Sequence, residues 1–225
     1  MNYVKETFDD VVRWNRQRRR ALASCLRTAR LCRRIARCCR NRRCREPFCA
    51  KCARMYRNAA TKNFEALLDG QELVAVTILL KKLEAGYLSD YLPVTAKQRV
   101  KKILQRIGFT CVVGAVEASW KPFEKVWVVH AHLIIGNPKP DQVNELRKLV
   151  NSWEIDGGFQ CKEVDDDRRS AISYASKFFT YYKVGRYRKF PLRGALLEEL
   201  ALWHSSGSFA DHRVMIGGRF KNPWK

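Results

Sequence analysis

VWVVHAHLII, residues 126–135, is the segment around which the rest of the chain is organised. It is short, apolar and rich in β-branched residues, and the turn residues Gly-Asn-Pro follow it, so it predicts a β-strand. Side chains alternate along a strand, so His130 and His132 share one face while the opposite face is wholly apolar. Burying an unpaired imidazole costs on the order of a few kcal/mol, and a divalent metal would bind both. The pattern favours a metal site over two packed core histidines.

The patterns around this strand predict an α+β fold. Further strands are expected at 72–80, 110–118 and 159–164, and helices at 53–68, 95–107, 140–153, 168–182 and 191–204. Thr95 and Asp141 are the expected N-cap residues of two of these helices. The element order, with a hairpin joining the second and third strands, predicts an antiparallel sheet with helices packed on one side.

The composition is strongly basic, since 44 Lys+Arg face 22 Asp+Glu and give a net charge of +22. Such a charge points to a polyanionic partner, nucleic acid before an anionic membrane. No apolar run is long enough for a transmembrane helix, and the N-terminus lacks the apolar core of a signal peptide. A cytoplasmic protein is therefore expected, in which the nine cysteines are metal ligands or core residues rather than disulfides.

Residues 1–43 are predicted to be helical and carry much of the positive charge. Within 16–43, apolar residues recur at three- and four-residue steps on one stripe: Leu22, Cys25, Leu26, Ala29, Cys32, Ala36 and Cys39. The arginines on the other faces are too many for a merely solvated surface. We expect this segment to bind DNA phosphates through Arg33, Arg34, Arg37, Arg40, Arg42 and Arg43. A basic amphipathic helix lying on a membrane is the alternative.

A cluster of cysteines follows, spaced Cys44-x4-Cys49-x2-Cys52 with a proline between the first two. Zinc takes four tetrahedral ligands, and this spacing supplies three thiolates on a tight turn. The fourth is expected from the end of the Arg-rich helix, where Cys39 is the first choice and Cys38 the alternative. Four protein ligands leave no open position, so the predicted zinc site is structural.

Glu117 lies on the strand that precedes the two histidines, in the sequence VGAVEASW. Two strands joined by a hairpin can bring this carboxylate beside His130 and His132. Two imidazoles and one carboxylate with ligand positions left open are typical of a catalytic rather than a structural metal site. A surface position on an edge strand is the alternative interpretation of Glu117.

Tyr174 and Lys177 lie three residues apart in the predicted helix 168–182 and so face the same way. A tyrosine hydroxyl acts as a covalent nucleophile when a metal or a cation stabilises the developing charge. Lys177 would orient the tyrosine or neutralise a phosphate. Such pairs occur by chance in any helix. This pair indicates a catalytic site only because it follows the His-x-His strand.

Taken in order, these motifs resemble those of the HUH endonuclease superfamily. The HAH motif at 130–132 has apolar flanks, and the Tyr-x-x-Lys motif at 174–177 follows it about one α–β unit later. The cysteine cluster at 44–52, the segment VTIL at 76–79 and the Val116-Glu117 strand are similar to rolling-circle replication initiators of small plasmids. The ordered set is more specific than any single motif.

The resemblance implies a metal-dependent cleavage of single-stranded DNA. In that family, two histidines and an acidic residue hold Mg²⁺ or Mn²⁺, a tyrosine attacks the scissile phosphate to form a 5′-phosphotyrosyl link, and the freed 3′-OH primes replication. Carried over, His130, His132 and Glu117 are the ligands, Tyr174 is the nucleophile, and Lys177 assists it. The implied function is origin-specific nicking and joining in rolling-circle replication, with host replication proteins as partners.

Two alternatives to this function stay open. One is a transposase or relaxase of the same superfamily, and the other is a non-catalytic, zinc-containing nucleic-acid-binding protein. Ser170 stands where many plasmid initiators place a Glu that activates the terminating water, and Phe178 where two-tyrosine relatives have their second tyrosine. The terminating group is therefore left open, and Asp165, Asp166 and Asp167 are candidates that fit a solvated loop equally well.

The expected organisation of the chain has three parts. An Arg-rich helical segment with the zinc knuckle spans 1–70, an HUH-type nuclease core spans 71–190, and a C-terminal helix with a basic tail spans 191–225.

Overall fold

The computed structural model describes residues 8–23, 26–39, 41–153, 155, 157–164, 167–177, 181–184 and 188–224. The helices are α1 (Phe8–Leu22), α2 (Ala29–Ala36), α3 (Ala50–Leu67), α4 (Pro93–Ile107), α5 (Pro140–Asn151), α6 (Arg168–Tyr174), α7 (Gly194–Ser205) and α8 (Phe209–His212). The strands are β1 (Leu73–Glu84), β2 (Val112–Lys121), β3 (Val126–Gly136), β4 (Phe159–Glu163), β5 (Tyr181–Val184), β6 (Arg188–Pro191) and β7 (Arg213–Ile216). The predicted α+β class is confirmed. None of the helices described here is long and apolar enough to cross a membrane.

Five strands form one antiparallel sheet in the order β4-β1-β3-β2-β7. The histidine-bearing strand β3 lies at its centre, and only Val126 and His132 of that strand are partly exposed. Its register with its neighbours places Glu117 of β2 opposite His130 and Thr77 of β1 opposite His132. Residues directly opposite each other point to the same side of a sheet, so these four side chains share one face.

Helices cover both faces of this sheet, whereas the sequence pattern predicted helices on one side. Tyr56 of α3 accepts a hydrogen bond from Arg213 of β7, on the face that carries the histidines. Arg147 of α5 lies over the ring of Phe159 of β4, on the opposite face. The one-sided prediction was wrong because the inner strands carry apolar residues on both faces, and both faces then need cover.

Two helices begin earlier than their predicted caps. Pro93 and Pro140 occupy the first turns of α4 and α5, where a proline's fixed φ suits a helix and its missing N–H is not needed. Thr95 and Asp141 therefore lie inside the first turns instead of capping them. At α5 the side chain of Gln142 accepts a hydrogen bond from the backbone N–H of Lys139 at 3.1 Å, which satisfies one exposed donor of the helix start.

The Arg-rich segment is not one long helix. The chain turns between α1 and α2, where the hydroxyl of Thr28 donates a hydrogen bond to the carbonyl of Leu22. The predicted apolar stripe is broken there: Leu26 is 94% exposed, and the buried residues of α2 are Leu31 and Ile35. Cys25, another member of that stripe, lies outside the described residues.

Helix α6 ends at Tyr174, eight residues before the predicted end of the helix at 182. Strands β5 and β6 form a hairpin in the region that follows. The sequence between 180 and 190 is rich in aromatic residues and is interrupted by a glycine, a pattern that suits a hairpin better than a helix. Helix α7 agrees with its prediction to within three residues, and β7 lies in the segment predicted to be a basic tail.

Candidate metal centres

Four cysteine thiols lie together at the N-terminal end of α3. The sulfur atoms of Cys38, Cys44, Cys49 and Cys52 are all within 4.8 Å of one another, with the Cys38–Cys52 pair at 3.5 Å and the Cys44–Cys52 pair at 3.6 Å. Tetrahedral zinc with Zn–S bonds near 2.3 Å would hold sulfur atoms roughly 3.8 Å apart. The four thiols therefore fit a zinc ion with little rearrangement.

The local structure explains why these four cysteines meet. Cys49 is the N-cap residue of α3 and Cys52 lies in its first turn, so both sulfurs stand at the same helix end. Cys38 follows the end of α2 and is 3% exposed. Cys39 was the first choice for the fourth ligand, and that prediction was wrong, because Cys39 points to solvent.

Polar groups around the thiols fix their positions further. The Oδ1 atom of Asn15 in α1 accepts hydrogen bonds from the Cys49 thiol at 3.5 Å and from the Ala50 backbone N–H at 3.1 Å. The Nζ atom of Lys51 donates to the carbonyl of Cys38 at 3.1 Å. The pKa of Cys38 lies well below the usual range for a thiol, because the neighbouring thiols donate hydrogen bonds to its sulfur. A thiolate is the form that binds metal.

The second cluster consists of Glu117, His130 and His132, which the sequence predicted as ligands of one metal. The Nε2 atom of His130 lies 3.1 Å from Glu117 Oε1 and 3.0 Å from His132 Nε2, and His132 Nε2 lies 3.6 Å from the same carboxylate oxygen. Neighbouring ligands of an octahedral ion with bonds near 2.1 Å are roughly 3.0 Å apart. The three atoms thus converge as one face of such a coordination sphere does.

Hydrogen bonds on the far side of each ring orient the two histidines. The Nδ1 atom of His130 lies 3.1 Å from the backbone carbonyl of Val128, which can only accept, so Nδ1 carries a proton and Nε2 is the ring nitrogen that faces Glu117 and His132. The Nδ1 atom of His132 is 2.9 Å from Thr77 Oγ1. Partners of this kind hold the rings of metal-binding histidines in position.

Glu117 is ionised although it is buried. Burial alone would raise its pKa, but hydrogen bonds with His130 and His132, and their charges, outweigh burial and lower the pKa to about 2. The side chain is 4% exposed. The alternative of a surface residue on an edge strand is thereby excluded, and a buried carboxylate beside two imidazoles is available as a metal ligand.

Tyr174 lies next to this cluster. Its ring centroid is 4.9 Å from that of His132, in an edge-to-face arrangement. Burial, and to a lesser extent the charge of Glu117, raise the pKa of Tyr174 to about 12. Lys177 is not on the helix with Tyr174 but in the turn after it, where its backbone N–H donates to the Tyr174 carbonyl and its Nζ atom lies 5.9 Å from the tyrosine ring centroid.

The other candidates for the terminating step lie at the start of α6 or outside the described residues. Asp167 caps the helix by accepting a hydrogen bond from the Ser170 backbone N–H at 3.2 Å. Asp165, Asp166 and Phe178 lie outside the described residues, as do the side chains of the nearby tyrosines Tyr181 and Tyr182.

Most of the predicted DNA-binding arginines surround a groove of about 490 Å³ between α2 and the loop of residues 41–49, called the cysteine loop below. Arg34 forms an ion pair with Glu46, which is buried, and lies 3.5 Å from the carbonyl of Cys44. Arg40 lies outside the described residues. The remaining four predicted arginines line the groove together with Arg30, which the sequence analysis did not single out: Arg33, Arg37, Arg42 and Arg43.

Thr77 is the residue beside the candidate metal site that sequence reasoning missed. It is the polar member of the apolar run LVAVTILL in β1. A polar residue in a buried strand needs a hydrogen-bonding partner, which could have signalled its role. Which side chain Thr77 meets is set by the register between β1 and β3, which pairs it with His132. That register is known only once the sheet has folded.

No family model, curated protein or solved structure matches the chain at a significant level. The activity of the protein must therefore be inferred from its own residues.

Proposed function

We propose that this protein is a metal-dependent endonuclease that nicks and rejoins single-stranded DNA at a replication origin through a covalent 5′-phosphotyrosine, and so initiates rolling-circle replication. The observation that carries the proposal is the convergence of Glu117, His130 and His132 on one point, with the ring of Tyr174 4.9 Å from that of His132.

The ligand set suits hydrolytic metals. A carboxylate and two imidazoles that leave coordination positions open are compatible with Mg²⁺ or Mn²⁺, which would polarise a phosphate oxygen and stabilise the charge of the transition state. Glu117 is ionised and the Nε2 atoms of both histidines face it, so a metal ion that enters the cluster would displace the protons held between these atoms and take up the carboxylate and the two imidazoles.

The tyrosine would supply the nucleophile. Its oxygen attacks phosphorus, the bond from phosphorus to the 3′ oxygen breaks, and that oxygen leaves as a 3′-hydroxyl after taking up a proton. The phenol proton leaves to solvent as the new ester forms. Lys177, whose Nζ atom is near the tyrosine ring, is positioned to offset negative charge on the phosphate or the phenolate. Joining is the reverse of this attack and needs no further nucleophile.

Labelled single strands test the proposal directly. A library of single-stranded oligonucleotides labelled at the 3′ end is incubated with the protein and Mn²⁺, and denaturing gels detect label that stays with the protein. A 5′-phosphotyrosine retains the 3′-labelled fragment and releases a fragment whose 3′-OH a polymerase can extend. We expect Tyr174→Phe to abolish the adduct, and His132→Ala to abolish it while single-strand binding persists.

Tyr181→Phe and Tyr182→Phe are the matched controls, since both tyrosines follow Tyr174 closely in the chain. Both variants should keep the adduct. An adduct that survives in Tyr174→Phe, or that maps to another residue by mass spectrometry, would refute the assignment. If the parent cleaves no strand of the library, a non-catalytic nucleic-acid-binding protein becomes the better interpretation.

A further inference from the structure

The groove between α2 and the cysteine loop concentrates positive charge on one side of the molecule. Six arginines line it, namely Arg30, Arg33, Arg34, Arg37, Arg42 and Arg43, and Cys44 completes the lining. Two like charges about 8 Å apart in water repel each other by about 0.5 kcal/mol. Holding several guanidinium groups around one groove therefore costs stability unless an anion occupies it.

Both walls of the groove end at a cysteine of the four-thiol cluster. Cys38 follows α2, which carries three of the arginines and has Arg37 as its C-cap residue, and Cys44 ends the loop that carries Arg42 and Arg43. Between these cysteines the described backbone contains no helix or strand, and a hydrogen bond from Cys39 N–H to the Arg42 carbonyl closes the loop at 3.1 Å. The cluster thus fixes the ends of both walls.

Helix α2 depends on these attachments because it is only eight residues long. Isolated helices of that length are unstable in water, so tertiary contacts must hold it. Ile35 and Leu31 supply apolar contacts on its inner face, and Cys38 ties down the chain just after its end. Arg34 adds a link across the groove through Glu46 and the Cys44 carbonyl.

The chemistry of the groove selects phosphates. Arginine presents paired N–H donors that match two oxygens of a phosphate group, and it stays charged at all physiological pH values. A volume of about 490 Å³ is within the range of sites that enclose a small ligand or a segment of a larger one. Adjacent phosphates on one nucleic-acid strand would fill such a groove.

The packing of α2 argues against an anionic membrane as the partner. A helix that lies on a bilayer inserts an exposed apolar face between the lipids. Leu31 and Ile35 face the protein core, and the exposed face of α2 consists of arginines and Ala36. Leu26 is exposed before α2, but a single leucine provides little apolar area.

We propose that zinc at the four cysteines assembles the arginine groove, so that the groove binds the phosphates of single-stranded DNA only when the metal is bound. The inference rests on the proposed function for the nature of its ligand. It extends that function by making the cysteine site a determinant of DNA affinity that is separate from the metal site at Glu117.

The test uses a full-length Tyr174→Phe background without added Mn²⁺, so that cleavage plays no part. Anisotropy of a short, labelled, mixed-sequence single strand is measured over a range of salt concentrations. Replacing both Arg33 and Arg37 by Ala should weaken binding about tenfold and reduce the slope of log K against log salt by about 0.7 for each arginine. Lys102→Ala with Arg106→Ala, two exposed basic residues of α4, is the charge-matched control and should change neither quantity as much.

The metal dependence is tested with a pair of adjacent cysteines. Cys38→Ser should lower both the zinc content and the DNA affinity, and Cys39→Ser, which alters an exposed thiol outside the cluster, should lower neither. Mn²⁺ binding at Glu117, His130 and His132, followed by calorimetry, should persist in Cys38→Ser and so report that the sheet is folded. Removing zinc from the parent with a thiol-reactive mercurial, then restoring it, should abolish and restore DNA binding.

Three results would each overturn the inference. The first is parental DNA affinity in a Cys38→Ser protein that has lost its zinc. The second is an unchanged salt slope in the Arg33→Ala, Arg37→Ala protein, and this result applies even if Cys38→Ser fails to fold. The third is binding to vesicles of anionic lipid that the arginine substitutions weaken while DNA binding is unaffected. All three are independent of covalent cleavage, so a failure of the proposed nuclease activity would be seen separately.

Discussion

At the scale of single residues, Thr77 holds the ring of His132, one of the three proposed metal ligands. Its hydroxyl is 2.9 Å from His132 Nδ1, on the side of the ring away from Glu117 and His130. Replacing it with Val keeps the shape of the side chain and removes the hydrogen bond. Loss of such partners typically weakens metal affinity by about 10- to 100-fold, so we expect Thr77→Val to weaken Mn²⁺ binding by a factor in that range.

Calorimetric titration of Mn²⁺ into the zinc-loaded protein measures the effect. Thr110→Val, which changes an exposed threonine just before β2, is the matched control and should bind Mn²⁺ as the parent does. Equal affinities for Thr77→Val and the parent would mean that the ring of His132 is held by packing alone.

His212 makes stability depend on pH. Complete burial lowers its pKa to about 4 from 6.5 and outweighs hydrogen bonds to the backbone of His204 and Val116, which raise it. Because the folded pKa is depressed, the unfolded chain takes up the proton first, and stability falls as pH falls from about 6.5 towards 4. From pH 7 to pH 5 the loss attributable to His212 is on the order of 2 kcal/mol.

Urea unfolding at a series of pH values measures this loss. His212→Gln removes the titration, so its free energy of unfolding should change much less over the same interval, although the variant is less stable at pH 7. Glu117, whose folded pKa is about 2, contributes its pH dependence below about 4.5 and does not obscure the comparison. A steep loss of stability in His212→Gln between pH 7 and 5 would assign the effect to other groups.

At the scale of elements, the start of α3 depends on the four-cysteine cluster. Cys49 and Cys52 belong to the N-terminal end of that helix, and both are fully buried. Metal bound there stabilises the folded state only, because the unfolded chain does not hold the four thiols together. We expect Cys49→Ser to cost on the order of 4 kcal/mol in the free energy of unfolding and to lower the zinc content.

Chemical denaturation with zinc analysis checks this expectation, and Cys161→Ser serves as the control because that thiol is exposed. A Cys49→Ser protein that unfolds like the parent and keeps stoichiometric zinc would contradict a structural role for the site.

The elements that the sequence predicted best are those with strong, local patterns. β3 was predicted to within one residue because its apolar run is continuous and is bounded by turn residues. The helix 168–182 was predicted too long, because periodicity alone does not distinguish the end of α6 from the hairpin strand at Tyr181–Val184. The break between α1 and α2 was missed for a similar reason, since the three- and four-residue spacing of apolar residues continues through the turn.

In the candidate sites, too, the residues placed by local geometry were predicted and those placed by long-range packing were not. His130 and His132 share a face by the geometry of a strand, and Glu117 joins them because a hairpin pairs β2 with β3. The choice of Cys38 over Cys39 depends on how the chain leaves α2, and adjacent residues in such a loop point in different directions. Long-range packing of this kind has no signature in the local sequence.

At the scale of the whole molecule, the N-terminal basic segment is part of the fold. Val11 and Leu22 of α1 are buried, and α1 contacts both α3 and α7. Buried Arg18 donates a hydrogen bond to the carbonyl of Phe48 at 2.6 Å, which ties α1 to the cysteine loop. Deleting residues 1–37 would therefore disturb the core, and point substitutions of exposed arginines are the cleaner test of the proposed DNA binding.

The net charge of +22 predicts opposite effects of salt on stability and on DNA binding. Residues 1–60 alone carry 18 Lys+Arg and 4 Asp+Glu, so the folded chain brings many like charges together. Salt screens this repulsion, because the Debye length falls from about 30 Å at 0.01 M to about 8 Å at 0.15 M. We expect the melting temperature to rise over that range, whereas affinity for single-stranded DNA falls steeply because releasing counterions into a more concentrated salt solution gains less free energy.

The two responses are measured on the same zinc-loaded protein, by thermal denaturation and by anisotropy of a labelled single strand. KCl and NaCl at equal ionic strength should act alike, since screening depends on ionic strength and not on the identity of the ion. Arg33→Ala with Arg37→Ala should weaken both responses, because these two charges contribute to the repulsion and to phosphate binding alike. A melting temperature that falls as salt is added would show that attractive ion pairs, such as that of Arg34 with Glu46, outweigh the repulsion among the arginines.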